Sequence, residues 1–185
     1  MRHVTLRLEP RLETERLVLR PLGEDDLDEL VAELNDLAVA RNLARVPFPY
    51  TDADAADFLV ASRQRAAEGE DLSLALEHAG KVIGCIGLAR LKQDREFGYW
   101  LGRAHWGRGL ATEAAGAFLA HAFDKLGVET VRSGVFVGND ASLRVQDKLG
   151  FARTGTRRVY CLARGVPVDH IDTVLTRAGF QEARP

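Results

Sequence analysis

The chain has 185 residues, of which 46% are hydrophobic and 28% are charged. This length and composition are typical of one globular domain with its own core. The net charge of −2 does not indicate a nucleic-acid surface. No apolar run is long enough to predict a membrane span, and the first residues lack the apolar core of a signal peptide. The two cysteines, Cys85 and Cys161, lack CxxC spacing and are expected in a reducing cytoplasm, and the five scattered histidines predict no metal site.

The first half of the chain changes from helical to strand periodicity. Alternating residues over 14–20 predict a strand, and leucines at helical spacing predict a helix over 24–37. A loop punctuated by prolines follows, and a threonine is placed to cap a second helix over 51–67. Two apolar runs, 72–77 and 82–91, flank an Ala-Gly turn and predict a hairpin.

The second half alternates strands with helices before it ends in strands. A strand rich in aromatic residues is predicted over 95–101, and Ala and Phe at helical spacing predict a helix over 110–126. A strand over 129–137 follows, and Asn139 is placed to cap a short helix that ends at a glycine. The chain closes with two predicted strands, 152–162 and 168–176.

The predicted element order is β-αα-βββ-α-β-α-ββ. Consecutive hairpins and one strand–helix–strand crossover predict an α/β fold, in which a mixed sheet carries helices on both faces. A doubly wound dinucleotide fold would need repeated βαβ units, and only one is clear. We expect a single domain over 12–178, with short tails at 1–11 and 179–185.

A glycine-rich stretch, Trp106-Gly107-Arg108-Gly109, lies between a predicted strand and a predicted helix. Glycine lets the backbone approach a ligand closely, and the helix N-terminus adds free N–H donors. Arg103 and Thr112 add a positive charge and a hydroxyl group, so the stretch predicts a diphosphate site. The alternative is a tight turn that needs glycine only for its shape. The Walker A and Rossmann spacings are both absent, which disfavours ATP, GTP and NAD.

The same stretch resembles the acyl-CoA-binding motif Q/R-x-x-G-x-G/A of the GCN5-related N-acetyltransferase (GNAT) superfamily, with Trp106 in place of Gln or Arg. Four other segments are similar to its RimJ/RimL branch. Two of them are E-F-G-Y-W-L at 96–101 and N-D-A-S…K-L-G-F at 139–151. The others are T-E-R-L-V-L-R-P-L at 14–22 and V-D-H-I-D-T-V-L at 168–175.

The resemblance implies the GNAT fold, in which the sheet splays between the strands over 95–101 and 129–137. It implies acetyl-CoA as acyl donor, with the pantetheine arm in the split and the diphosphate on the glycine-rich turn. In related enzymes an acidic residue at Glu96 deprotonates the amine through water, and a hydroxyl at Ser142 lies near the sulfur. The implied cofactor contacts are Leu101, Trp106, Gly107, Arg108, Gly109, Leu110, Ala111, Thr112, Asn139 and Lys148.

The implied reaction is direct attack of a primary amine on the thioester in a ternary complex. The acceptor is a protein N-terminal α-amine or a small-molecule amine, and we expect it to enter beside residues 24–67 and 157–170. Glu96 has an alternative reading as a solvated carboxylate beside Arg95, and Ser142 as a first-turn helix residue. The alternative functions are a non-catalytic acyl-CoA sensor or partner-binding module, and a different phosphate ligand on the turn. The sequence does not decide whether the protein forms a homodimer.

Overall fold

The computed structural model describes residues 10–183. Its strands are β1 (Leu12–Glu13), β2 (Val18–Arg20), β3 (Leu72–His78), β4 (Lys81–Ala89), β5 (Glu96–Leu101), β6 (Thr130–Phe136), β7 (Ala152–Cys161) and β8 (Val166–Thr176). Its α-helices are α1 (Leu27–Leu34), α2 (Leu37–Ala40), α3 (Asp52–Ala67), α4 (Leu110–Lys125), α5 (Asp140–Leu149) and α6 (Arg177–Ala183). Short 3-10 helices occupy Glu24–Asp26, Arg103–His105 and Leu162–Arg164. Within this part of the chain, no helix is long and apolar enough to cross a membrane.

The strands form one mixed sheet in the order β1-β2-β3-β4-β5-β6-β8-β7. Neighbouring strands are antiparallel except β5 and β6, which are parallel. These two strands are paired only between Glu96 and Arg132, whereas β6 pairs with β8 along its whole length. The sheet therefore splays between β5 and β6, as the resemblance to the GNAT superfamily implied.

The larger core lies between the sheet and α4. Phe97 of β5 packs against Phe118 of α4 and Phe151 after α5, with ring centroids 6.0 and 5.9 Å apart. Burying large aromatic side chains of this kind stabilises a core by several kcal/mol. Helix α4 begins after Gly109 and stops before Gly127, both in the left-handed region, so glycines punctuate it at both ends.

Helices α1 and α3 cover the opposite face of the first half of the sheet. Leu30 and Leu59 pack on Cys85, and Trp100 of β5 lies against the same cluster. The predicted cap of α3 is confirmed, because the Thr51 hydroxyl accepts a hydrogen bond from the Asp54 N–H at 3.2 Å. This packing fixes β5 from both faces and leaves its edge toward β6 open.

The structure differs from the predicted elements at three places. The strand predicted over 14–20 begins only at Val18, because residues 14–17 form a turn in which the Thr14 N–H donates to the Leu17 carbonyl at 2.9 Å. The helix predicted over 24–37 ends at Asn35, because that side chain bonds both to the Val31 carbonyl and to the backbone of Tyr50. The tail expected from residue 179 is part of helix α6, and Phe180 is buried against Phe123 with ring centroids 5.3 Å apart.

Candidate active site

The strands β5 and β6 diverge beyond their single bridge and open a cleft of about 2050 Å³. The cleft brings together all the predicted site residues except Arg108. Those that line it are Glu96, Leu101, Trp106, Gly107, Gly109, Leu110, Ala111, Thr112, Asn139, Ser142 and Lys148. Motifs that lie far apart in the sequence thus share one cavity.

Uncharged side chains hold the closed end of the cleft. The Ser133 hydroxyl of β6 crosses the split and donates to the Phe97 carbonyl of β5 at 2.9 Å. Gln146 of α5 donates to the Ser133 oxygen at 3.0 Å and accepts from the buried Thr173 hydroxyl of β8 at 2.8 Å. The chain of hydrogen bonds ties both sides of the split to α5. We call Ser133, Gln146 and Thr173 the apex network.

The glycine-rich turn lies at the open end of the cleft. Gly107 and Gly109 have φ values of +72° and +78°, which favour glycine. The first hydrogen bond within α4 runs from the Glu113 N–H to the Gly109 carbonyl at 3.0 Å. The N–H groups of the preceding first turn, up to Thr112, have no acceptor within the helix, so they suit an anion.

A pair of side chains that sequence reasoning missed braces this turn. Glu113 accepts from the Thr14 hydroxyl at 2.6 Å and from the Arg16 backbone N–H at 2.8 Å. The Arg16 guanidinium contacts the same carboxylate at 2.7 Å and donates to the Arg108 carbonyl at 2.9 Å. Burial raises the pKa of Glu113, but these hydrogen bonds outweigh it and lower the pKa below its usual value. Arg16 stands in one of the segments that carried the resemblance, and Glu113 follows the glycine-rich motif by two residues, so the resemblance was the available signal.

Three predicted cofactor contacts are restricted by their packing. The side chains of Leu101 and Leu110 are core residues, 5% and 1% exposed, so only their backbone can face a ligand. The Trp106 indole N–H donates to the Leu101 carbonyl at 2.8 Å, and 42% of this residue is exposed. Arg108 contributes its carbonyl to the brace and lies outside the cleft lining.

Ser142 lies against Tyr99 across the cleft, with 2.9 Å between the two hydroxyl oxygens. Asn139 caps α5, since its side chain accepts from the Ser142 N–H at 3.2 Å. Burial raises the pKa of Tyr99 to about 12, although the hydrogen bond to Ser142 opposes the shift. The Ser142 N–H therefore serves the helix while its hydroxyl, paired with a neutral phenol, remains in the cleft.

Glu96 lies on the opposite face of β5 from Tyr99, because side chains alternate along a strand. It stands at the β5–β6 bridge, and its carboxylate forms an ion pair with Arg90 at 3.1 Å, rather than with Arg95. Its side chain is 40% exposed. The face that carries Glu96 also carries Trp100, against which α1 and α3 pack, so it faces the expected acceptor side.

The predicted acceptor side is built by two segments in contact. The tip of the β7–β8 hairpin rests on the loop after α2, where the Leu162 N–H donates to the Ala44 carbonyl at 3.1 Å. Arg164 donates to the Arg41 carbonyl at 2.8 Å. The Arg164 guanidinium also lies over the Phe136 ring, 5.4 Å from its centroid. These contacts close the far wall of the cleft around cationic side chains.

A mixed sheet that splays beside a glycine-rich helix start is the arrangement of the GNAT fold of acyl-CoA-dependent acetyltransferases. Comparison with known proteins agrees, because residues 16–152 match the GNAT acetyltransferase domain. The chain is 32% identical over 164 residues to the uncharacterized N-acetyltransferase p20 of Bacillus licheniformis, covering 85% of this chain and 91% of that protein. The uncharacterized N-acetyltransferase YoaA of Bacillus subtilis is 29% identical over 86% of this chain and 93% of its own length.

Two solved structures share the fold at lower identity. RimJ of Mycobacterium smegmatis, in complex with CoA-disulfide, superposes with a TM-score of 0.79 at 21% identity, over 88% of this chain and 82% of that one. RimL, a ribosomal L7/L12 α-N-protein acetyltransferase in complex with coenzyme A, superposes with a TM-score of 0.79 at 16% identity, over 90% of this chain and 98% of that one. The chain belongs to the GNAT family of N-acetyltransferases, whose acyl donor is acetyl-CoA.

Proposed function

We propose that the protein transfers the acetyl group of acetyl-CoA to a primary amine, by direct attack within a ternary complex. The observation that carries this proposal is the single cleft that joins the glycine-rich turn to the Tyr99–Ser142 pair. Strand β5 extends six residues from the bridge to Leu101, or about 17–20 Å. An extended pantetheine arm matches this length, so a diphosphate on the turn would bring its thioester toward Gly98 and Glu96.

The side chains divide the proton transfers between the two faces of β5. On the acceptor face, Glu96 takes a proton from the incoming ammonium through water, which leaves the neutral amine that attack requires. Backbone N–H groups freed by the split stabilise the oxyanion that forms on the thioester. On the other face, Ser142 donates its proton to the departing thiolate and regains one from Tyr99 or solvent.

The acceptor side favours an amine with a negative group nearby. Arg41, Arg132 and Arg164 all line the cleft there. None of the three forms an ion pair within residues 10–183, so their charges are available to a ligand. A protein N-terminal α-amine followed by an acidic residue fits this side, and RimL and RimJ share the fold. A small amine with a carboxylate or phosphate is the second candidate. The acetyltransferase MccE, solved with acetyl-CoA and AMP, has the same fold at a TM-score of 0.76 and 19% identity.

A CoA-release assay with a panel of amines tests the proposal. The panel pairs peptides with free N-termini, acidic or basic at the second position, with small amines that carry or lack a carboxylate. We expect turnover with amines that carry negative charge and little with their uncharged analogues. Binding of acetyl-CoA without release by any amine would instead support a non-catalytic sensor. A thermal shift with ATP or NAD and none with acetyl-CoA would support a different phosphate ligand.

A further inference from the structure

A histidine on β8 is held by a carboxylate at the wall of the cleft. His170 Nδ1 lies 2.9 Å from Asp172 Oδ1, and the Arg157 guanidinium donates to both oxygens of that carboxylate at 2.9 and 3.1 Å. The His170 side chain is only 14% exposed. Burial raises the pKa of Asp172, but the hydrogen bonds from Arg157 and His170 outweigh it, so the carboxylate stays ionised. An ionised carboxylate only accepts, so Nδ1 carries a proton, and in the neutral imidazole the lone pair is then on Nε2.

The imidazole ring lies on the acceptor face of the sheet. Thr173 lies three residues after His170 and one after Asp172 on β8. Its side chain faces α5, and side chains alternate along a strand, so His170 and Asp172 face the other way. The ring occupies the space above Gly134, where a Cβ would collide with it, and it meets the Phe136 ring edge-on at 5.5 Å. Gly134 and Phe136 both belong to β6, so the His170 ring covers the β6 side of the split.

His170 stands at the level at which the thioester is expected. Glu96 and Arg132 pair at the bridge, so Gly98 and Gly134 lie two residues beyond it on the diverging strands. A Cβ at Gly98 would meet nothing within 4 Å. The open space at Gly98 forms a window on the acceptor side, whereas the His170 ring fills the corresponding space above Gly134. Glu96 flanks that window on β5, and His170 flanks it on the β6 side.

The reaction needs a second proton acceptor on this face. An ammonium R–NH₃⁺ loses one proton before attack, and the N–C bond then forms as the carbonyl π electrons move to oxygen. The nitrogen of that adduct still carries two protons and a positive charge. One of these protons must leave as the C–S bond breaks and its electron pair departs on sulfur. Glu96 accounts for the first proton on the acceptor side, and Ser142 supplies a different proton to sulfur.

We propose that His170 Nε2 takes this second proton from the attacking nitrogen. The imidazole becomes imidazolium, Asp172 stabilises the new charge, and the proton passes to solvent after the amide leaves. Overall, R–NH₃⁺ and acetyl-CoA give the amide, CoA thiol and one proton. The inference rests on the proposed function, because it requires an amine at this window. The other charged groups that line the cleft on this side are Arg41, Arg132, Arg157 and Arg164, and Glu96 with its partner Arg90. Arg157 is already paired with Asp172.

Variants of the dyad test the proposal in the full-length protein, with the best amine of the panel as the probe. His170→Gln should lower kcat about 10²-fold, the loss typical of a missing base, while acetyl-CoA affinity is unchanged. It should also change the kcat–pH profile, because a proton acceptor is removed from the site. Asp172→Asn should also lower kcat, but by a smaller factor. Asp169→Asn on the same strand is the matched control and should behave as wild type, since its side chain is 74% exposed.

Thermal melting of each variant separates chemistry from folding. If His170→Gln lowers the melting temperature so far that it cannot be assayed, the Asp172→Asn and Asp169→Asn pair still decides. Wild-type kcat and an unchanged pH profile in folded His170→Gln, or equal activity of the two aspartate variants, would overturn the assignment of His170. Absence of CoA release by the wild type with any amine would overturn the proposed function, and the inference with it.

Discussion

Gly109→Val and Gly127→Val form a matched pair of substitutions at the two ends of α4. Both glycines have positive φ values, +78° and +64°, which a β-branched residue strongly disfavours. A Cβ at Gly127 meets nothing within 4 Å, and one at Gly109 meets only the Arg16 guanidinium at 3.5 Å. Backbone strain of this kind costs about 1–3 kcal/mol. Both variants should therefore melt about 2–12 °C below wild type, since 1 kcal/mol corresponds to roughly 2–4 °C at this chain length.

Only the first substitution lies in the cleft, so acetyl-CoA should separate the two variants. At 100 times its Kd, a ligand stabilises the folded state by about 2.7 kcal/mol. Thermal unfolding with that concentration should raise the melting temperature of wild type and Gly127→Val by about 5–11 °C. If Gly109→Val weakens binding 100-fold, the remaining stabilisation is about 0.4 kcal/mol, and its melting temperature should hardly change.

The comparison refutes the reasoning if both variants respond equally to acetyl-CoA. The diphosphate would then bind elsewhere, and the glycine at the start of α4 would serve only the shape of the turn. Gly109→Ala, which carries less side-chain bulk, extends the test if the valine variant unfolds.

Five further substitutions probe the brace, the acid and the acceptor wall. Glu113→Gln should destabilise the protein by about 2 kcal/mol at pH 7 in urea titrations. Folding lowers the pKa of the Glu113 carboxyl below its ordinary value of 4.5. The difference in the free energy of unfolding between variant and wild type should therefore be complete above pH 4.5, and it should vanish as the pH falls through the lowered pKa. Ser142→Ala should lower kcat at unchanged acetyl-CoA affinity, and Tyr99→Phe should do so less; wild-type kcat in both would remove the proposed acid. Tyr50→Ala should cost about 3–5 kcal/mol of stability as a core truncation, whereas Phe48→Ala, 40% exposed, should melt near wild type; a changed acceptor KM for Phe48→Ala would assign that ring to the pocket.

Local signals in the sequence predicted the elements well. Thr51 and Asn139 act as helix caps in the structure, and caps depend on residues three positions away. The hairpin of β3 and β4 also agrees with the prediction, whereas the split of the sheet was implied only by the resemblance. Helix α6 was missed because it has seven residues and derives its stability from Phe180 packing on Phe123, a contact that periodicity does not report.

The parts of the site that sequence reasoning missed depend on distant pairing. Arg16 and Glu113 are 97 residues apart, and nothing in either segment alone indicates an ion pair. His170 and Asp172 are close in the sequence, but their role depends on facing Gly134 of a neighbouring strand. Strand register decides this, and register follows from the whole sheet. For the same reason, the alternative reading of Glu96 placed its carboxylate beside Arg95, whereas the folded chain pairs it with Arg90.

The apex network has a consequence for how cofactor binding responds to salt. Ser133, Gln146 and Thr173 carry no charge, and they fix the distance between β5 and β6 at the closed end of the split. The width of the slot should therefore not vary with ionic strength or with pH between 5 and 9. Any salt dependence of acetyl-CoA affinity should then come from screening of its phosphates, at the glycine-rich turn and at Lys148. A plot of log Kd against log salt concentration would thus measure the electrostatics of one end of the cleft, with the other end as a fixed reference.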